Sequence, residues 1–126
     1  MGLTHVTARV ANAARPTRRA TVKFLVDSGA VYSLVPAHIL RRLGIRPHSS
    51  RTFLLADGAE ITRPIGDAIF TIGGQQGASP VIFGEPDDAA LLGSVSLESL
   101  GLVLDPMKRV LRPLPMVLGR VRSGRA

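Results

Sequence analysis

One carboxylate in this sequence stands where chemistry could be done. Asp27 follows Lys23-Phe24-Leu25-Val26, one cation and three apolar residues, and precedes Ser28-Gly29-Ala30. A carboxylate at the end of a buried strand is costly unless donors bond it. Small residues after it let backbone amides approach it and let another chain come close. The chemistry open to such a group is general acid–base work. On its own, Asp-Ser-Gly is also an ordinary turn tripeptide.

Other constellations are weaker. His5, His38 and His48 share no metal-ligand spacing, and His38 is expected on the exposed face of a helix, so neither a metal site nor a cofactor is expected. The chain has no Cys, which removes a disulfide scaffold, a thiolate zinc site and a Cys nucleophile together. No Gly-x-Ser-x-Gly elbow is present. Gly73-Gly74-Gln75-Gln76-Gly77 has no Lys-Ser/Thr after it and reads as a hairpin turn, not a phosphate loop. Asp87-Asp88 reads as an exposed loop tip.

The elements that must position Asp27 are short and mostly of period two. Alternation over residues 3–11 predicts a strand, and the β-branched, apolar run 21–26 predicts a more buried one that leads into Asp27. Ala13–Thr17 is a loop between them. After Val31–Val35 the period changes. Pro36 suits a first helical position, Ile39, Leu40 and Leu43 share a face, and Gly44 suits the left-handed stop. Asp57-Gly58, between the apolar runs 52–55 and 61–65, is a strong hairpin signal. Residues 67–72 and 79–83 form a further strand pair, followed by an acidic loop over 84–88. Ala90-Leu91-Leu92-Gly93 precedes a short helix over 94–100, capped by Ser94 or Ser96 and stopped by Gly101. Residues 102–105 and 109–114 complete the strands. Many short strands with Gly and Pro turns indicate an all-β barrel or sandwich with one or two short helices.

In this order, the segments resemble the retropepsin-like aspartic proteases. Phe24-Leu25-Val26-Asp27-Ser28-Gly29-Ala30 is similar to their catalytic motif, with Ser28 where Thr is commoner. The Pro36 helix resembles the stretch that follows in bacterial members. Leu55-Ala56-Asp57-Gly58 resembles their flap hairpin, without the Gly-rich tip of the viral enzymes. Leu91-Leu92-Gly93 before a helix resembles their second signature. The resemblance covers about residues 3–115 and implies a single-lobe acid-protease β-barrel with a flap hairpin.

The resemblance also implies an endopeptidase in which two carboxylates share a proton, one activating water and the other polarising the scissile carbonyl. Of nine acidic residues only Asp27 lies in an Asp-Ser-Gly setting, so the second carboxylate is expected from a second copy across a two-fold axis. Ser28 of each copy would hydrogen-bond across the base of the site, and the Gly29 amide would bond the carboxylate. The expected substrate is an extended peptide. Ala30, Val31, Leu55 and Ile82 are expected pocket walls, beneath flaps that include Ala56, Asp57 and Gly58.

Composition narrows the rest. At 126 residues the chain is one domain, here placed at 1–118 with a basic, frayed tail at 119–126. Chains of this length bury about two-thirds of their unfolded surface. Net charge is +7, and eleven of the sixteen Lys and Arg lie in residues 1–23 or 108–126. Such ends could meet nucleic acid or acidic lipid, but solvated termini that aid solubility are the simpler reading. Aromatics at 4%, with no Trp and no basic strand face interleaved with rings, speak against a nucleic-acid-binding β protein. No stretch approaches the roughly 18 apolar residues of a membrane span. A cytoplasmic protein is expected, and the closest rival function is a catalytically silent dimeric peptide-binding module of the same fold.

Overall fold

The computed structural model describes residues 3–115 and 118–119. β1 (His5–Ala11) turns Ala8 and Val10 inward and Thr7 and Arg9 outward, as its period-two alternation requires. It pairs antiparallel with β2 (Arg19–Val26), from His5↔Leu25 to Ala11↔Arg19. The chain continues through β3 (Ser33–Pro36), α1 (Ala37–Arg42), β4 (Ser49–Leu54), β5 (Glu60–Ile72), β6 (Gln75–Gly84), β7 (Leu91–Leu92), α2 (Ser94–Ser99), β8 (Leu102–Asp105) and β9 (Val110–Pro113).

Seven strands form one sheet in the order β1-β2-β7-β3-β6-β5-β4, and β1 also pairs with β5. That extra pairing, Arg9↔Thr71 to Ala11↔Ile69, closes the sheet into a single-lobe barrel with β4 outside the closure. Inside lie Val10, Phe24, Val35, Leu40, Phe70, Val81 and Leu92, all fully buried. The Phe24 and Phe70 rings meet at 5.9 Å in a tilted pair. Burying each such side chain contributes roughly 1.5–3 kcal/mol, so the barrel is held from its centre.

The elements differ from expectation in four places. Pro36 is the last residue of β3, in extended geometry, and α1 starts one residue later than Pro36 itself. The reason is that Pro36 lies opposite Gly84 in the β3–β6 ladder, which fixes its ψ in the strand range. Neither Ser94 nor Ser96 caps α2; Gly93 is its N-cap, and Ser96 is turned into the core. The Gly73–Gly77 turn shrinks to Gly73-Gly74, with Gly73 at φ +57°, because Ile72 already pairs with Gln75. Residues 61–65 and 67–72 are parts of one strand, β5, which pairs first with β4 and then with β6.

Part of the basic charge is used internally. The Arg18 guanidinium donates to the Arg42 carbonyl at 2.6 Å, and Asn12 donates to the Leu43 carbonyl at 2.9 Å. Together they satisfy carbonyls that the end of α1 leaves open. Arg112 pairs with Asp105 at 3.0 Å across the β8–β9 hairpin. Of the expected 119–126 tail, residues 120–126 lie outside the described ones. Among the described residues no helix is long and apolar enough to cross a membrane.

Candidate active site

Asp27 leaves the end of β2 and is held at once by backbone. Its own N–H donates to the Leu92 carbonyl at 3.0 Å, and the Ala30 N–H donates to its carbonyl at 3.1 Å. The Gly29 N–H donates to its Oδ1 at 3.0 Å. The carboxylate is thus aimed by the loop that carries it, while Ser28 and Gly29 stay exposed.

β7 is what makes this loop rigid. Its two residues wedge between β2 and β3, parallel to the first and antiparallel to the second. Leu92 points into the core and Leu91 toward the outer cleft. The first amides of α2 then bind the loop: Ser94 N–H donates to Ala30 O at 2.8 Å and Val95 N–H to Val31 O at 3.0 Å. A side chain at Gly93 would put its Cβ 2.7 Å from the Tyr32 carbonyl carbon and 2.9 Å from Ala30 O. Only glycine permits that approach.

Three buried serines sit under the same junction. The Gly93 N–H donates to Ser33 Oγ at 2.9 Å, Ser33 Oγ lies 2.5 Å from Ser96 Oγ, and Ser96 Oγ lies 2.6 Å from Ser79 Oγ. Ser79 donates to the Pro80 carbonyl at 3.1 Å. Each hydroxyl has one proton, so the chain runs one way: Gly93 to Ser33 to Ser96 to Ser79 to Pro80. It ties β3, α2 and β6 together behind the Asp27 loop.

A cleft of about 290 Å³ opens beside the loop. Gly29, Ala30, Val31, Leu55 and Ile82 line it, as do Tyr32, Leu34, Phe53 and Arg63, among others. Ala56, Asp57 and Gly58 lie beyond it, at the exposed tip of the β4–β5 hairpin. Gly58 there has φ +87°, and the Ala59 N–H donates to Asp57 Oδ1 at 2.9 Å. Asp105 is committed elsewhere. The Lys108 backbone N–H, then the Arg112 side chain and the Met107 N–H, hold its carboxyl below the usual range against a smaller opposing effect of burial. It stabilises a turn. Among the described residues no three His, Asp or Glu side chains converge as metal ligands.

The family model described as aspartyl protease matches residues 6–95, a span that contains the Asp27 loop, the hairpin and the Leu91-Leu92-Gly93 wedge. The chain belongs to the aspartyl protease family. It is an aspartic endopeptidase, and its fold is of the retropepsin-like kind. Its fold is similar to that of a retropepsin-like aspartic protease from Rickettsia conorii, with a TM-score of 0.57 at 24% identity over 82% of this chain and 77% of that one. Simian foamy virus (mac) protease is similar at a TM-score of 0.50 and 20% identity, over 74% of this chain and 92% of that one. The prototype foamy virus protease-reverse transcriptase is similar at a TM-score of 0.52 and 16% identity, over 92% of this chain but 12% of that one. At these identities the structural likenesses speak to the fold alone. No curated protein matches the sequence.

Sequence reading placed Asp27, Ser28, Gly29, Ala30, Val31, Leu55, Ala56, Asp57, Gly58 and Ile82 in one site; the structure brings Gly29, Ala30, Val31, Leu55 and Ile82 to one cleft, sets Ser28 on a separate groove and leaves Ala56, Asp57 and Gly58 at the hairpin tip. Sequence reading missed the other cleft walls, Tyr32, Leu34, Phe53 and Arg63, and the three buried serines. A signal for two of these was present. Val35 is an inward residue of β3, so Ser33, two positions before it, faces inward and Leu34 faces the other way.

Proposed function

We propose that the active enzyme is a homodimer in which Asp27 of each copy faces the other across a two-fold axis. What carries this reading is the placement of Asp27: a half-buried carboxylate on the loop whose next residues, Gly29 and Ala30, line an apolar cleft, and the sole acidic residue in an Asp-Ser-Gly setting. Water activation and carbonyl polarisation need two carboxyl groups, one charged and one protonated. A second copy supplies the second. The exposed flank of the loop supports this, since Ser28 borders a groove of about 320 Å³ lined by Leu97, Leu102, Leu104 and Leu114. Leu3, Val103 and Val110 add exposed apolar surface on the terminal segments.

In the dimer the two Asp27 side chains share one proton and titrate as a pair. The charged one takes a proton from water, which attacks the scissile carbon. The protonated one donates to the carbonyl oxygen. Ser28 hydroxyls bond across the base, and the Gly29 amides keep each carboxylate aimed. The substrate is an extended peptide lying under the β4–β5 hairpins, whose tips, Ala56 to Gly58, act as flaps. Main-chain bonds hold such a peptide and the cleft selects its side chains. A cytoplasmic setting fits a chain without Cys.

The test follows peptide cleavage as a function of protein concentration, with Asp27→Asn as control. Specific activity should rise through the dimer dissociation constant. Asp27→Asn should cleave at background while staying as stable as the wild type or more so, because two close carboxylates repel. Full activity in a sedimenting monomer would refute the shared site. A wild type that binds peptides but cleaves none would favour the silent binding module.

A further inference from the structure

The β4–β5 hairpin sets two arginines directly opposite each other, Arg51↔Arg63. Like charges in this position repel, so each needs compensation. Arg51 finds part of it over the Tyr32 ring, with its Cζ 5.6 Å from the centroid. Arg63 is mostly buried, 20% exposed, and has little. Its Nη1 donates to its neighbour's carbonyl, Thr62 O, at 3.2 Å and stands 3.8 Å from Glu85 Oε1 on an exposed side chain. Its Nε is, among the described residues, the one buried side-chain nitrogen or oxygen without a hydrogen-bond partner. A buried donor on a cation is costly to leave unpaired.

The same side chain lines the cleft beside the Asp27 loop. There its company is apolar: Leu34, Ile61 and Ile82, with the Tyr32 and Phe53 rings meeting edge-on at 6.2 Å. Arg63 thus puts a cation on the wall of an otherwise apolar cleft. It also borders a neighbouring cavity of about 380 Å³, where its one carboxylate partner, Glu85, stands. Arg51 lies over Tyr32 at the rim and, among the described residues, has no carboxylate within ion-pair distance.

We propose that Arg63, seconded by Arg51, makes this cleft a subsite selective for a glutamate side chain of the peptide substrate. The two glutamate methylenes lie along the apolar body and the carboxylate meets the guanidinium. Glutamine offers an oxygen without the charge, leucine fills the body and leaves the donors unpaired, and lysine is repelled. Glu85 competes with the substrate for Arg63. The inference rests on the reading of the cleft as a peptide site, and binding and cleavage test the two separately.

Peptides that differ in one residue, Glu, Gln, Leu or Lys, are scanned position by position. Cleavage is read as kcat/KM on the wild-type protein, and binding as fluorescence anisotropy on Asp27→Asn protein. At one position Glu should be favoured over Leu by about tenfold or more, the range of a charge-assisted hydrogen bond. Arg63→Met, made in both backgrounds, should bring that ratio to about one or below. Glu85→Gln should raise it, which keeps the test open if Arg63→Met fails to fold. Glu favoured at no position, a ratio unmoved by Arg63→Met, or a ratio lowered by Glu85→Gln would each overturn the inference. Cleavage without Glu selectivity leaves the peptidase standing and removes the subsite. Glu-selective binding without cleavage supports the subsite and removes the peptidase reading.

Discussion

Replacing Ser33 with alanine removes the second member of the one-way hydrogen-bond chain behind the Asp27 loop. Two bonds go: Gly93 N–H to Ser33 Oγ at 2.9 Å, and Ser33 Oγ to Ser96 Oγ at 2.5 Å. The Gly93 amide is left a buried donor with no acceptor, and Ser33 is fully buried, so water cannot take the place without opening the barrel. A buried donor stripped of its partner costs about 1–3 kcal/mol. Ser96 keeps its link to Ser79, which limits the second loss. We expect about 2–3 kcal/mol in all, a large share of the roughly 6–19 kcal/mol available to a chain of this length. At about 3–6 °C per kcal/mol, the melting temperature should fall by roughly 6–18 °C. The assay is thermal and urea denaturation at one fixed protein concentration, since dimer formation would otherwise shift the midpoint. The Ser33→Ala/Ser96→Ala double variant should lose less than the sum of the singles, because both act on one chain. Peptide cleavage should fall with stability, since Gly93 precedes the amides that hold Ala30 and Val31. A loss below about 0.5 kcal/mol, or strict additivity of the two variants, would refute the chain as described.

Gly93→Ala should be worse than an ordinary core enlargement. The clashing atoms at 2.7 Å and 2.9 Å are backbone of the Asp27 loop itself, so relief must displace that loop. Overpacking costs typically about 1–3 kcal/mol, and we expect the upper end together with loss of cleavage; wild-type melting and turnover would contradict the close approach. Asp105→Asn should loosen the β8–β9 hairpin. The carboxyl of Asp105 is lowered in the fold, so its contribution is present above the unfolded value of about 3.9 and fades as pH falls through the lower folded value. Hydrogen exchange at Arg109 and Val110 should therefore quicken in Asp105→Asn near neutral pH and match the wild type once Asp105 is protonated. An unchanged difference across that range would show that the charge is not what holds the turn.

The Asp27 loop and most of the strands were legible because their signals are local. Alternation, Asp-Gly at a hairpin and Gly after a helix each depend on a few neighbouring residues. The start of α1 and the cap of α2 were misplaced for a non-local reason. Pro36 carries a good first-position residue's chemistry, but its pairing opposite Gly84 claims it for β3. Ser94 and Ser96 carry cap chemistry, but the start of α2 is taken up by the carbonyls of Ala30 and Val31, and Ser96 is drawn to Ser33 and Ser79. Likewise the continuous β5 was invisible because residues 60–72 serve two partners in turn.

By itself, then, the sequence determined the class of fold, singled out Asp27 as the candidate carboxylate and marked the segments that flank it. Those follow from chain-local pattern: a period of two, a turn residue type, an Asp after an apolar run. Only the tertiary structure decided what surrounds that carboxylate. Leu91-Leu92 becomes a wedge because β2 and β3 lie on either side of it. Three serines, 17 to 63 residues apart in sequence, become one chain of bonds because burial leaves their hydroxyls no other partners. Arg63 lines an apolar cleft because register sets it across from Arg51 and beside Tyr32, Phe53 and Ile82. Contacts of that kind depend on which distant segments the closed barrel brings together, and no stretch of neighbouring residues carries that information.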